Sequence, residues 1–247
     1  MSEIFCKVQK DTKNYLKKEI NLTNFINTSL ADSIKKENSI SISVQNSGKR
    51  FEREWIFRKL SCEFCSTNPT AIVGNNGSGK STLIKTLIGY LPLSEGKLVY
   101  SINQKDKSKL ILRENWQDYI AFAAPYTELV EEFTLLEQLK FHQAFKFFDI
   151  EVGEIIEKLA FSNTKSKTIR FFSSGMKQKL KLALAIYSDA KIVFLDEPTS
   201  NLDKQNSEWY LQQIDTIIDK KTLIIASNQE AEYHFCSQII DIQNLKP

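Results

Sequence analysis

Nine consecutive residues, Gly74 to Thr82, read GNNGSGKST. They match G-x-x-x-x-G-K-[ST], and the residues on both sides suit a phosphate-binding loop. The apolar run Thr70-Ala71-Ile72-Val73 precedes them as a buried strand, and Leu83, Ile84, Leu87 and Ile88 follow at helical spacing. Glycines at 74, 77 and 79, with Asn75, Asn76 and Ser78 between them, let the backbone turn successive N–H groups inward around phosphate oxygens. A helix starting near Lys80 adds free N–H donors and a positive partial charge at its N-terminus. Lys80 can reach the β- and γ-phosphates of a nucleotide, and Ser81, followed by Thr82, places a hydroxyl for Mg²⁺.

A second group of reactive side chains lies far along the chain. The apolar stretch Lys191 to Leu195 ends in Asp196-Glu197-Pro198. Two carboxylates at the end of a buried strand sit where ligands collect on a parallel sheet. Asp196 can hold Mg²⁺, and Glu197 can orient or deprotonate an attacking water. Ser227-Asn228-Gln229 follows the apolar run Lys221 to Ala226 and falls on the same edge. Ser173 and Ser174 cap a long helix running to about Tyr187, whose N-terminus is an anion site of its own. Phe51, about two dozen residues before the glycine-rich loop, is either an adenine-stacking aromatic or a plain core phenylalanine.

The elements that must position these groups alternate between strand and helix. Ile40, Ile42 and Val44 alternate with polar residues in a half-buried strand, which Asn46-Ser47-Gly48 is expected to turn. Trp55, Phe57 and Leu60 are core candidates of the next strand. Lys97 to Ile102 and Tyr119 to Ala123 read as strands, and Asn103 to Ser108 as a polar hairpin tip. Thr134 and Glu137 form a capping box ahead of a helix to Phe147, with Leu135, Leu136, Leu139 and Phe145 on one stripe. A second helix, Glu151 to Phe161, turns Ile155, Ile156 and Leu159 inward. This helix-rich stretch, about residues 120–190, interrupts the alternation as an inserted helical subdomain. Thr199 to Asp203 turns into a helix from Lys204 to about Asp219, and Ile239 to Ile242 is the last strand. Residues 1–38 are polar and weakly periodic, an arm that is either a tether to a partner or a solvated tail.

Composition narrows the function. A net charge of +3 is too small to argue for nucleic acid. No apolar run approaches the ~20 residues that cross a bilayer, and the N-terminus has no signal-peptide pattern, so the chain is expected in the cytoplasm. Cys6, Cys62, Cys65 and Cys236 are scattered, as reduced thiols are.

Taken in order, GNNGSGKST, FSSGMKQK and IVFLDEPTSNLD resemble the ATP-binding-cassette (ABC) ATPases, from about Ser39 to Asn244. The resemblance implies an α/β P-loop NTPase fold. Its parts would be a RecA-like core, an antiparallel β subdomain and the helical subdomain, together spanning residues 39–247. It implies two subunits, a homodimer in the simplest case, closing head-to-tail on ATP and Mg²⁺, with the loop of one facing Ser173 to Gly175 of the other. Ser200 to Asp203 would cross that interface, and Phe51 would stack on adenine. The sequence also departs from the family. Phe172, Ser174 and Met176 replace the usual Leu, Gly and Gln of the signature, while Ser173 and Gly175 remain. Phe122-Ala123-Ala124-Pro125-Tyr126 lacks the usual Gln, and Asn228 stands where a His is usual. Hydrolysis slower than usual is therefore expected, since an amide does not titrate near neutral pH. The first expectation is an ATPase subunit coupled to a separate transmembrane permease, peripheral on the inner face of the membrane, with Pro125 to Phe133 as the docking groove. The alternatives are a soluble ABC ATPase of an assembly machine, such as one for iron–sulfur clusters, and a weakly active ATP-dependent switch.

Overall fold

The computed structural model describes residues 39–104 and 107–246. The polar arm, residues 1–38, lies outside the described residues. Two sheets carry the chain. The first is antiparallel, from β1 (Ser39–Phe51), β2 (Glu54–Phe64), β4 (Glu95–Gln104) and β5 (Lys107–Ile111), in the order β2-β1-β4-β5. The second is parallel, from β3 (Thr70–Val73), β6 (Ile120–Ala123), β7 (Ile192–Asp196), β8 (Thr222–Ala226) and β9 (Gln238–Asp241), in the order β6-β7-β8-β3-β9. The helices are α1 (Lys80–Leu87), a short turn α2 (Trp116–Tyr119), α3 (Leu135–Phe145), α4 (Val152–Lys158), α5 (Ser174–Ile186) and α6 (Lys204–Asp215).

The parallel sheet explains the continuous apolar runs. All five residues of β7 and of β8 are buried, because both faces of the sheet are covered. Alternation still sorts them. Val193, Leu195, Leu223 and Ile225 pack with α3, α4, α5 and α6 side chains such as Leu139, Ile155, Leu182 and Ile214. Ile192, Phe194, Ile224 and Ala226 face the other way, toward α1 and the antiparallel sheet, with Ile42, Phe57, Leu83 and Tyr100. The parallel sheet is thus the shared wall of two apolar cores, one of which presses the glycine-rich loop against β2.

The short antiparallel elements differ most from the sequence reading. Asn46-Ser47-Gly48 does not turn the chain; β1 runs on through an irregular stretch with register shifts between Val44 and Arg50. Asn46 takes up the extra residue with a φ of 44°, and the buried Ser47 hydroxyl donates to the Lys97 carbonyl at 3.0 Å. Local turn composition is here overridden by pairing on both sides, with β2 and β4. The hairpin after β4 is tighter than Asn103 to Ser108, since β4 extends to Gln104 and β5 begins at Lys107. Phe57 and Leu60 are buried, but Trp55 is only half-buried, with the Arg58 guanidinium 4.5 Å from its ring centre. Ile155, Ile156 and Leu159 are buried, whereas Phe145 is 79% exposed at the end of α3. The capping box forms: the Thr134 side chain accepts from the Glu137 backbone N–H, and Glu137 accepts from the Thr134 N–H at 2.8 Å. After β8 the chain makes one 3₁₀ turn, Glu230–Glu232.

Candidate functional site

The C-terminal ends of β3, β7 and β8 bring the reactive residues together. Gly74 follows β3 with φ +144°, and Gly77 and Gly79 have φ +76° and +112°. These are backbone conformations that an L side chain rarely adopts. Gly79 is the N-cap of α1 and makes no side-chain cap, so the first N–H groups of the helix stay free for an anion. A Cβ on Gly79 would run into Ile56 of β2, and one on Gly74 would come 2.8 Å from Ile242 and 2.9 Å from the Ser78 hydroxyl. The loop is therefore shaped by close packing as well as by freedom of φ.

Lys80 is buried and folds back over this loop. Its ammonium donates to the Gly74 carbonyl at 2.9 Å and to the Asn75 carbonyl at 3.2 Å. A buried ammonium with one donor to spare fits a phosphate oxygen entering the cradle. The Ser78 hydroxyl is buried and unpartnered, a second polar group that a ligand would satisfy. Asn76 lies exposed on the loop and accepts from the Asn228 amide at 2.9 Å, which joins the end of β8 to the glycine-rich turn. Ser81 and Thr82 lie in the first turn of α1; the Thr82 carbonyl accepts from the Thr86 hydroxyl one turn on.

Asp196 ends β7 and is 1% exposed. One carboxylate oxygen accepts from the Tyr126 hydroxyl at 2.8 Å, and the other, Oδ1, is buried with no partner. Burial first, then the Asp196 charge, pushes the Tyr126 phenol up, while the nearby Ser81 side chain works against that rise. Ser81, Asp196 and Tyr126 thus meet in one place. A hydroxyl and an orphaned buried carboxylate oxygen beside a phosphate cradle form a donor set that fits Mg²⁺, which takes one or two protein oxygens and completes its shell with phosphate and water. Glu197 is half-buried, with φ 44°, and its N–H donates to the Ala226 carbonyl at 2.8 Å. That left-handed backbone costs about 1–2 kcal/mol for a residue with a Cβ. Glu197 follows Asp196 directly on the same sheet edge.

Ser173 caps α5 by accepting from the Met176 N–H at 3.2 Å. Ser173 and Ser174 are exposed, and a Cβ on Gly175 would sit 2.9 Å from the Asn201 carbonyl of the loop after β7. The structure does not bring Ser173 and Gly175 into hydrogen-bonding contact with the glycine-rich loop; they form a separate, outward-facing helix end. Phe51 is also apart, 47% exposed at the β1–β2 hairpin, with the Lys49 ammonium 5.0 Å from its ring centre. That excludes the core reading and leaves an accessible aromatic face.

Three residues of this region were not singled out as site residues, although Tyr126 ends the stretch Phe122 to Tyr126 and Gln178 lies within FSSGMKQK. Tyr126 lies three residues past β6, whose sheet neighbour is β7. Gln178 of α5 donates to the Pro198 carbonyl at 2.9 Å and ties the helix to the acidic strand end. Glu232 is buried and accepts from the Thr199 N–H at 3.0 Å and from the Thr199 hydroxyl, which fixes the loop after Glu197.

This geometry defines a P-loop NTPase, with a parallel sheet whose strand ends present a phosphate cradle, a lysine and two acids. The profile of the family described as "ABC transporter" matches residues 57–200, more than half of the chain, and the chain belongs to that family. The family's ATPase domains bind and hydrolyse ATP, generally with Mg²⁺. A Helicobacter pylori protein named "Probable iron chelatin transport ATP-binding protein" is 28% identical over 198 residues, covering 76% of each chain. ATP-binding cassette sub-family A member 17 of Rattus norvegicus is 26% identical over 163 residues, and the match spans only 9% of that protein's length. A solved ATP binding subunit of an ABC transporter superposes with a TM-score of 0.68 at 22% identity, covering 81% of this chain and 86% of that one. Among the described residues no helix is long and apolar enough to cross a membrane.

Proposed function

We propose that the chain is the ATP-hydrolysing subunit of a transporter, working as a pair of copies that close on ATP and drive a separate membrane permease. The observation that carries this reading is the division of the phosphate-binding groups. Lys80 and the glycine-rich loop lie at the sheet edge, while at the capped, exposed end of α5 the Ser173 hydroxyl bonds, among the described residues, only to the Met176 N–H. Two copies arranged head-to-tail would set each α5 N-terminus on the phosphate held by the other. Ser81 and Asp196 would hold Mg²⁺, which neutralises charge on the phosphates and leaving group. Lys80 would bind the β- and γ-phosphates, Glu197 would orient and deprotonate the attacking water, and Phe51 would lie on adenine. Asn228 would contact the γ-phosphate as a neutral donor, and the absence of a titrating imidazole there would make hydrolysis slow. Losing one transition-state contact commonly costs ~10²-fold or more.

In the same reading, residues 39–247 form the ATPase domain, with about 120–190 as its helical subdomain and 1–38 as an extension. The permease would dock along Pro125 to Phe133. A cavity of about 430 Å³ opens there between Pro125, Leu129, Glu131 and Lys181, and the Lys181 ammonium holds the Pro125 carbonyl at 2.6 Å. The subunit would then sit on the inner face of the membrane through that partner. The test is Glu197→Gln. Size exclusion with MgATP is expected to show a stable dimer for the variant and a monomer–dimer mixture that decays with turnover for the native chain. Native-like hydrolysis by Glu197→Gln would remove Glu197 from its role. Purification from membranes is expected to retain a multi-span protein; a soluble partner instead would favour an assembly machine.

A further inference from the structure

Asp196 would be a poor cation ligand if its carboxylate were free to rotate, and one residue prevents that. The Tyr126 hydroxyl donates to Oδ2 at 2.8 Å, which leaves the buried Oδ1 as the single unpartnered oxygen. The tyrosine is itself held in place. The Lys85 ammonium lies 4.3 Å from its ring centre, and the Phe122 ring lies 6.1 Å away. The backbone before and after it is pinned, with the Pro125 carbonyl accepting from Lys181 at 2.6 Å and the Ala124 carbonyl accepting from Thr127 at 2.8 Å. The Ser81 hydroxyl lies near enough to the same phenol to influence it, so one side chain sits beside both groups that would surround the cation.

We propose that Tyr126 is the positioning residue of the cation site: its hydroxyl fixes Asp196 so that Oδ1 alone is offered to a divalent cation, in register with Ser81. A hydrogen-bond donor on the second oxygen of a ligating carboxylate sets its orientation and its basicity, and removing such a partner typically costs about 10- to 100-fold in metal affinity. The inference rests on the reading of Asp196 as a cation ligand, and the experiment separates the two.

Mn²⁺ is titrated by electron paramagnetic resonance into the full chain saturated with a non-hydrolysable ATP analogue. The chains compared are native, Tyr126→Phe, Tyr126→Gln, Asp196→Asn and the Tyr126→Phe/Asp196→Asn pair. Phenylalanine keeps the ring against Lys85 and Phe122 and removes only the hydroxyl. Tyr126→Phe is expected to weaken Mn²⁺ binding by about 10- to 100-fold, with nucleotide affinity in chelator unchanged. Tyr126→Gln, which returns a donor without the ring, should recover part of the loss, and the pair should bind no more weakly than Asp196→Asn alone. Native-like Mn²⁺ affinity in Tyr126→Phe, with Asp196→Asn weakened, would overturn the role of Tyr126 and leave Asp196 standing. Tighter binding in Tyr126→Phe would overturn it too, by making the hydroxyl an obstruction. Unchanged affinity in Asp196→Asn would remove the cation ligand itself.

Discussion

Replacing Gly79 by alanine adds one methyl group where the glycine-rich loop meets β2. Two penalties follow. The backbone at Gly79 has φ +112°, and forcing an L side chain into a left-handed conformation costs about 1–2 kcal/mol. The new Cβ would also lie well inside van der Waals contact with Ile56 Cγ2, on a strand whose position is fixed by pairing with β1. Overpacking of this kind costs about 1–3 kcal/mol. The sum is about 2–5 kcal/mol. At roughly 2–4 °C per kcal/mol for a chain of this size, that lowers Tm by about 4–20 °C. Gly77 supplies the control. It has φ +76°, but a Cβ there would meet nothing within 4 Å, so Gly77→Ala should show only the backbone penalty. Thermal unfolding by circular dichroism, without nucleotide, reads both. In the double variant Gly79→Ala/Ile56→Ala the contact is gone, and the losses should sum to less than their parts by about 1 kcal/mol or more. Equal destabilisation by Gly77→Ala and Gly79→Ala, with strict additivity in the double variant, would refute the claim that β2 shapes the loop.

Other consequences can be checked as directly. Asn228→His should raise the single-turnover hydrolysis rate, and no gain would show that Asn228 does not limit it; the same change breaks the bond to Asn76. Burial, with Lys146 adding to it, pushes His142 down to about 4, so it stays neutral in the folded chain while the unfolded chain protonates near 6.5. Stability should therefore fall as pH drops from 6.5 towards about 4, by about 1–3 kcal/mol for this group. Urea midpoints of His142→Phe measured across that range should lose this part of the slope, and identical slopes would contradict it. Gly175→Ala should loosen the loop at Asn201, which its Cβ would press at 2.9 Å, and weaken ATP-dependent dimer formation with little effect on ATP binding by the single copy.

What the sequence made legible follows from how local each determinant is. The glycine-rich turn was readable because the backbone conformations it needs admit few residue types, and the acidic strand end because a buried apolar run stops at two adjacent carboxylates. The buried strands were readable because a sheet covered on both faces leaves no polar alternation to confuse the pattern. The path of β1 was not, because Asn46-Ser47-Gly48 has turn composition and only two-sided pairing holds it extended. Phe145 fits the helical stripe of α3 but falls at the helix end, where no facing element reaches it. Tyr126 was hidden for a different reason. Its contact with Asp196 comes from the pairing of β6 with β7, in which Ile120 faces Ile192, and no spacing rule in the sequence links residues so far apart.

The account depends most on Lys80. Titration calorimetry of the purified chain with ATP and Mg²⁺, native against Lys80→Ala, tests it directly. Saturable binding of one ATP per chain is expected, weakened in Lys80→Ala by at least about 10-fold, the worth of one charge-assisted hydrogen bond. Absence of ATP binding by the native chain, or equal affinity in the variant, would contradict it.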